Sequence, residues 1–168
     1  MNSDSVTADY AAPIGGLWYP QSREYPKLMT WRGRYTRGYP RGLVVHYTAG
    51  SQSNPQGVLL HGLRQGYLYM VMGHDGLIWQ AAPLDCWGYH AGKSSWPGVE
   101  NVSRELAGIE ICCPGKLRET REGKLVTWYE QEIPRDDARR VERRDNMAPG
   151  WYAKYTAEQE QSLVELIL

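Results

Sequence analysis

The hydrophobic positions of the chain form short runs and helical spacings, with no internal repeat. A Val-rich run predicts a buried strand over residues 41–48 and ends on His46. The apolar stretch "LAGIEICC", residues 106–113, predicts a second buried strand. Two shorter runs over residues 67–83 flank His74-Asp75-Gly76, and an Asp-Gly pair favours a hairpin turn.

Two segments have the spacing of helices. Residues 54–66, "NPQGVLLHGLRQG", place Asn before Pro at a first helical position and end near Gly66. Residues 156–168, "TAEQEQSLVELIL", begin with Thr156 at a predicted N-cap and carry Gln159 three positions later. Because strands and helices are mixed along the chain, we predict an α/β fold with a central mixed β-sheet flanked by helices.

The rest of the chain divides the molecule into an arm and one domain. Residues 1–40 are rich in Gly, Pro, Tyr and Arg, and we interpret them as an irregular N-terminal arm. Residues 41–168 are predicted to form a single domain, since a chain of 168 residues rarely holds more. Residues 114–150 are charged and interrupted by Pro, and "RDDARRVERRD" within them is interpreted as a solvated face or loop.

Charge and hydropathy exclude several classes of protein. Lys+Arg and Asp+Glu are 19 each, so the chain lacks the basic excess of a nucleic-acid-binding surface. No run approaches the ~18 apolar residues of a membrane span, and the N-terminus shows no signal peptide, which predicts synthesis in the cytoplasm. Cys86, Cys112 and Cys113 are interpreted as buried thiols of a protein made in a reducing compartment.

The aromatic composition is unusual, because the chain has 7 Trp and 12 Tyr and no Phe. Trp and Tyr combine an apolar ring with one polar atom, which suits wet clefts that bind sugars or peptides. A core built from Tyr explains the same composition equally well, and both interpretations stay open.

Three residues are candidates for chemistry. His46 ends a predicted strand, and ligands of open α/β sheets bind outside the carboxyl ends of strands. Glu110 lies inside an apolar strand, where a carboxylate needs a partner, a metal or a raised pKa. His90 lies in the loop "CWGYHAGKSSWPG". Their convergence would form a metal-hydrolase site, whereas a histidine satisfied within the core is the alternative. The other two histidines, His61 and His74, are interpreted as ordinary surface or partly buried residues.

Five motifs follow one another in the order "VVHYTAG", "HDGLIWQAAP", "GYHAGKSSWPG", "AGIEI" and "YTAEQEQSLVELI". In this order they resemble the type 2 N-acetylmuramoyl-L-alanine amidases, the zinc amidases of the peptidoglycan-recognition-protein fold. The resemblance runs from Gly42 to Leu168 and leaves out the arm. The long insert at 114–155 resembles members of phages and bacteria that carry an elaborated loop there.

The resemblance implies a substrate, a cofactor and roles for individual residues. The family hydrolyses the amide bond between N-acetylmuramic acid and L-alanine in peptidoglycan or muropeptides. By resemblance, His46 would be a ligand of one Zn²⁺ and Glu110 the general base. His90 and Trp96 would line the substrate groove, and Tyr67 lies one position from a functional tyrosine of some members.

One departure from the family pattern concerns the metal. The family's other two zinc ligands follow the last helix, and this sequence ends at Leu168 before either of them. Three explanations are open: the chain is a piece of a longer amidase whose C-terminal part is missing, a second chain supplies the ligands, or a degenerate amidase binds the wall without cutting it. The first is favoured because the last helix ends without a Gly or a C-cap.

Two rival functions are kept beside the zinc amidase. One is a non-catalytic peptidoglycan-binding module that uses the same groove without metal. The other is a cysteine hydrolase with Cys113 or Cys112 as nucleophile and His90 as base. These cysteines lie in or just after a strand, whereas a catalytic Cys usually lies at a helix N-terminus or beside a cation.

The biological setting has three interpretations. The protein is a phage lysis or tail enzyme, a cytosolic wall-recycling amidase, or an effector delivered by a secretion machine. It would therefore act on the cell wall in the periplasm or as a recycling enzyme in the cytosol. The elaborated loop favours a phage or prophage origin.

Overall fold

A computed structural model of the chain describes residues 17–25, 32–50, 54–67, 70–143 and 147–168. Part of the predicted arm, residues 1–16 and 26–31, lies outside the described residues. The helices are α1 (Pro55–Gln65), α2 (Val102–Glu105) and α3 (Ala157–Ile167). The strands are β1 (Arg23–Glu24), β2 (Gly33–Arg34), β3 (Leu43–Tyr47), β4 (Met70–Met72), β5 (Ile78–Gln80), β6 (Cys86–Trp87), β7 (Ala107–Ile111), β8 (Lys116–Glu119), β9 (Leu125–Val126), β10 (Glu132–Ile133), β11 (Ala138–Val141) and β12 (Gly150–Ala153).

The central sheet has the strand order β1-β5-β4-β7-β3. Strand β7 pairs in parallel with both β3 and β4, whereas β4 pairs antiparallel with β5. The sheet is therefore mixed, and helices α1 and α2 pack against its strands. This confirms the predicted α/β class.

Local sequence signals fix the ends of the helices. The Asn54 side chain accepts a hydrogen bond from the Gly57 N–H, and Gly66 closes α1 in the left-handed conformation at φ 75°. Helix α3 begins with the predicted capping box between Thr156 and Gln159. The β4–β5 hairpin turns at Asp75-Gly76, where Gly76 has φ 77°. These predictions are confirmed.

The core lies between α1 and the central sheet. Leu59 and Leu63 of α1 are fully buried, as are Ile109 and Ile111 on alternate positions of β7. Each such buried aliphatic side chain contributes about 1.5–3 kcal/mol relative to an exposed one. The intervening residues of β7 are Gly108 and Glu110, so the opposite face of this strand carries a glycine and a carboxylate.

A second five-stranded sheet, in the order β10-β9-β8-β12-β11, is built from the segment that follows β7. The segment "RDDARRVERRD" was predicted to be a solvated face or loop, and its backbone corrects that prediction. It forms a 3₁₀ turn over Arg135–Asp137 and then strand β11, which pairs with β12. Its described arginines, Arg135, Arg139, Arg140 and Arg143, are exposed as expected. Ala138, however, packs into a small core, which the charge run alone does not reveal.

The described part of the N-terminal arm is more regular than predicted. Strand β1 pairs in parallel with β5 at the edge of the central sheet, and β2 pairs with β6. The buried Gln80 side chain accepts hydrogen bonds from the Tyr19 N–H at 3.2 Å and the Ser22 hydroxyl at 3.0 Å. Among the residues described here, no helix has the length and apolar character of a membrane span.

Candidate active site

His46 and Glu110 are neighbours in the central sheet. They occupy the penultimate positions of β3 and β7, and they are paired directly in the parallel register of these strands. Paired residues of adjacent strands direct their side chains to the same face of the sheet. The structure therefore brings together two of the three candidate residues at the carboxyl ends of two parallel strands.

His90 reaches this pair from the loop after β6. Its Nδ1 lies 3.1 Å from the Nε2 of His46, and its Nε2 lies 2.9 Å from the carbonyl oxygen of Leu106. The two rings meet edge to face, with centroids 5.4 Å apart and an angle of 70°. His90 thus joins the side chain of His46 to the backbone of Leu106, the residue immediately before β7.

The hydrogen bonds of His90 determine which nitrogen of each ring carries a proton. A carbonyl oxygen only accepts, so the neutral His90 ring carries its proton on Nε2 and offers a lone pair at Nδ1. That lone pair accepts the Nε2–H of His46, which leaves the His46 Nδ1 without a proton. Burial lowers the pKa of both histidines, so both rings are neutral near pH 7.

The position of His90 depends on Gly108 and Ser103. A Cβ on Gly108 would lie 2.4 Å from the His90 Cγ, so the ring rests directly on the backbone of β7. The buried Ser103 hydroxyl accepts hydrogen bonds from the backbone N–H groups of His90 and Ala91, each at 3.2 Å. The ring is turned toward His46. The contact of His90 with substrate stays a prediction.

Glu110 is a carboxylate without a local partner. Its Oε2 atom is buried and accepts no hydrogen bond from the described residues. Burial raises the pKa of Glu110, since the charged form loses solvation with no donor to replace the lost water. A carboxyl group in this state takes up and releases a proton closer to neutral pH than an exposed one, which suits acid–base catalysis.

A groove with a volume of about 560 Å³ opens in front of Glu110. Tyr67 lines it and meets His61 edge to face at 6.4 Å, and its contact with substrate stays a prediction. His61 also lines the groove, although its sequence context indicates an ordinary surface or partly buried residue. It follows Val58 by three residues on α1, and residues at that spacing lie on the same face of a helix. This spacing is the sequence signal that could have indicated that His61 lies in the groove.

Trp96 lies elsewhere on the surface. Its side chain is 68% exposed, and its backbone forms a two-way bridge with Val99 at 3.0 and 2.7 Å. It is not among the described residues that line the groove in front of Glu110. Its contact with substrate therefore stays a prediction.

The residues around His46 meet only part of the needs of a zinc ion. The neutral His46 ring with an unprotonated Nδ1 fits a metal ligand. Within the described ranges, however, no group of three or more His, Cys, Asp or Glu side chains could hold a metal. These residues thus offer one ligand of the family set, and a catalytic zinc needs three.

The cysteines are all buried and unpaired. Burial raises the pKa of Cys112 to about 11 and also raises the pKa of Cys113. A thiol in this state is protonated near neutral pH and is a poor nucleophile. The geometry therefore gives no support to a cysteine hydrolase.

A histidine paired across two parallel strands with a carboxylate that lines a groove is an arrangement typical of hydrolases. The family model described as N-acetylmuramoyl-L-alanine amidase matches residues 36–168, and the chain belongs to this family. The match covers most of the chain and confirms both the resemblance drawn from the five motifs and the predicted enzyme class.

Solved structures with similar folds include other amidases. A selenomethionine derivative of AmpD has 21% identity and a TM-score of 0.49, with 89% of this chain and 73% of that chain covered. The endolysin amidase LysCS from Clostridium intestinale has 24% identity and a TM-score of 0.40, with 57% and 60% covered. The hydrolase AmiA from Staphylococcus aureus has 21% identity and a TM-score of 0.39, with 61% and 54% covered. The aligned region is thus less than two thirds of LysCS and of AmiA. Among curated proteins, none matches this chain.

Proposed function

We propose that this protein catalyses the zinc-dependent hydrolysis of the amide bond between N-acetylmuramic acid and L-alanine in bacterial peptidoglycan. His46 is one zinc ligand, and Glu110 is the general base. The observation that supports this most directly is the pairing of His46 with Glu110 at the carboxyl ends of β3 and β7. The two other ligands would have to come from outside the described residues.

The residues of the chain have separable roles in this reaction. Zinc, when bound, supplies a Lewis acid that polarises the scissile carbonyl. Glu110 accepts a proton from the attacking water while the water oxygen forms a bond to the carbonyl carbon. Glu110 then gives that proton to the L-alanine nitrogen as the carbon–nitrogen bond breaks. Its raised pKa suits both halves of this transfer.

The substrate is intact peptidoglycan or a soluble muropeptide. Tyr67 would contact it in the groove before Glu110, and His90 and Trp96 are the further candidates for contact. Depending on how the protein reaches the wall, it would act in the periplasm, as a phage lysis enzyme or delivered effector, or in the cytosol during wall recycling.

A non-catalytic peptidoglycan-binding module is the second candidate. The observation in its favour is that no three-ligand group exists among the residues the structure describes. Such a module would use the same groove, and the unpartnered Glu110 would then be a remnant of catalysis.

The test combines metal content with turnover. The zinc bound per chain is measured by mass spectrometry, and cleavage of a muramoyl-L-alanyl peptide is followed by chromatography. We expect His46→Ala to lose zinc and Glu110→Gln to keep zinc and lose turnover. Chelation should abolish turnover, and added zinc should restore it.

The outcomes separate the two candidates. Turnover that survives both chelation and Glu110→Gln would contradict the amidase mechanism. Retention of the protein on purified sacculi, with zinc supplied and no cleavage, would instead establish the binding module.

A further inference from the structure

Trp128, in the turn between β9 and β10, has an exposed side chain that is nevertheless held in place. It is 71% exposed, yet its indole N–H donates a hydrogen bond to the carbonyl of Ala49. It meets Tyr129 edge to face, with ring centroids 5.2 Å apart and an angle of 87°. A large aromatic face that is rigid and open to solvent is suited to a ligand.

The anchoring joins the second sheet to the segment that follows His46. The Tyr129 hydroxyl donates to the carbonyl of Gly50 at 3.2 Å, one residue beyond the contact of Trp128. On the other side, Tyr47 rests on Gly115, where an added Cβ would lie 2.1 Å from the ring and the backbone has φ +71°. Trp128 is therefore fixed relative to the strand that carries His46.

A groove with a volume of about 650 Å³ runs beside Trp128, and we name it the insert groove. It is lined by Tyr47, Ala49, Pro114, Lys116, Leu117, Arg118, Trp128 and Glu130. Tyr47 also lines the groove in front of Glu110, so the two grooves meet at this residue. A ligand bound at the catalytic pair could extend directly into the insert groove.

The charges in the insert groove are largely balanced. Arg118 donates two hydrogen bonds to the Glu130 carboxylate, at 2.8 and 2.7 Å, so this pair is neutral as a unit. Lys116 adds an ammonium group with three donors. An aromatic face edged by polar groups matches a sugar ring, which has an apolar C–H face and hydroxyl and amide groups at its rim.

We propose that the insert groove binds an N-acetylhexosamine ring of the glycan strand, stacked on Trp128, with Lys116 donating to its hydroxyl or carbonyl oxygens. This inference rests on the proposed function, because the scissile bond is attached to such a sugar and the neighbouring rings lie close to it. The insert groove would make the enzyme select polymeric glycan over free stem peptide.

The experiment measures binding without relying on cleavage. The full protein is titrated with a chitooligosaccharide, which has the sugar and no peptide, and separately with a stem peptide that lacks the sugar. We expect Trp128→Ala to weaken oligosaccharide binding by about tenfold, equivalent to about 1.4 kcal/mol. Stem-peptide binding should stay unchanged. Tyr39→Ala is the matched control, since Tyr39 is 54% exposed and lines neither groove.

Two further measurements guard against a folding defect. Trp128→Phe keeps an aromatic ring and loses the indole donor, and thermal unfolding reports whether each variant is folded. In the unaltered protein, the Trp128 indole N–H resonance, assigned from Trp128→Phe, should shift when the oligosaccharide is added.

Oligosaccharide binding that is unchanged in folded Trp128→Ala, or an indole resonance that does not shift, would overturn the inference. Loss of stem-peptide binding alone would assign the groove to peptide and overturn it as well. If the protein shows no amidase activity but binds the oligosaccharide through Trp128, the proposed function fails and this inference stands.

Discussion

His90 Nδ1 lies 3.1 Å from His46 Nε2, and the remaining nitrogen of His90 is bonded to the Leu106 carbonyl at 2.9 Å. This chain of two hydrogen bonds orients the His46 ring and leaves its Nδ1 as the nitrogen available to a metal. Partners of this kind commonly determine both the tautomer and the orientation of a metal-binding histidine.

We expect His90→Ala to weaken the affinity for zinc and the turnover number by about 10- to 100-fold, the usual effect of losing such a partner. His46 would then lose its fixed tautomer. Nitrogen NMR of the metal-free protein reports the tautomer directly, and a competing chelator measures the affinity. His74→Ala is the control, because the exposed His74 lies in the β4–β5 turn. A wild-type His46 that carries its proton on Nδ1 would contradict the argument.

Replacement of Glu110 by Gln should abolish activity and stabilise the fold. The buried Oε2 of Glu110 has no partner among the described residues, and burying an unsatisfied polar group costs roughly 1–3 kcal/mol. A Gln amide at this position is also polar, but it is neutral, and burial penalises an ionised carboxylate more than a neutral amide. Removing the charge should therefore raise the free energy of unfolding by roughly 1 kcal/mol at neutral pH. Denaturant unfolding of the metal-free proteins measures it.

The stability that Glu110→Gln gains over the wild type should depend on pH in a definite direction. The folded pKa of Glu110 is raised above its unfolded value, so the folded wild type binds more protons in the interval between the two. Wild-type stability is thus lost as the pH rises through that interval, and Glu110→Gln has no such loss. The difference in free energy of unfolding between Glu110→Gln and the wild type should therefore increase as the pH rises above the ordinary pKa of a carboxyl group. A difference that shrinks with rising pH would refute the assignment.

Tyr67 and Trp96 should differ in their effect on substrate affinity. Tyr67 lines the groove before Glu110, whereas Trp96 is exposed outside that groove. We expect Tyr67→Ala to raise KM for a short muramoyl peptide by about tenfold, which corresponds to about 1.4 kcal/mol of lost binding. Trp96→Ala should change KM less. Equal effects in steady-state kinetics would show that the substrate extends to Trp96.

Gln159 tests how α3 is held to the central sheet. Its buried amide donates to the carbonyls of Gly73 at 3.1 Å and Cys112 at 2.9 Å. Gln159→Ala removes both bonds, and the Gly73 carbonyl keeps its bond from the Gly76 N–H whereas the Cys112 carbonyl loses its donor. The substitution should therefore lower the free energy of unfolding by roughly 1–3 kcal/mol. Gln161→Ala on the same helix removes only an exposed bond to Glu165 and should cost under about 0.5 kcal/mol. Thermal unfolding compares the two variants.

Thiol alkylation should leave the activity intact at neutral pH. Cys112 and Cys113 are buried, and burial raises the pKa of both thiols, so neither forms a reactive thiolate. Iodoacetamide treatment followed by an activity assay checks this. Inactivation by the alkylating agent, together with resistance to a chelator, would revive the cysteine-hydrolase alternative.

Sequence patterns were sufficient wherever a structure depends on near neighbours. Thr156 and Gln159 form their capping box within one turn of α3, and the Asp75-Gly76 pair marks the position of the hairpin turn along the chain. The run "RDDARRVERRD" shows the opposite case. Its charges correctly predict exposed side chains. Strand β11 forms, however, because its backbone pairs with β12 in the second sheet.

By itself, the sequence determined the α/β class, both ends of α1 and the start of α3, because periodicity and capping are visible along the chain. It also singled out His46 and Glu110 as candidate site residues, and their roles stay predictions. Only the tertiary structure decided that His90 turns toward His46, that His61 lines the groove, and that Trp128 is anchored beside it. Those relationships join residues more than forty positions apart in two of the three cases, and they depend on strand register and loop packing that no local pattern encodes.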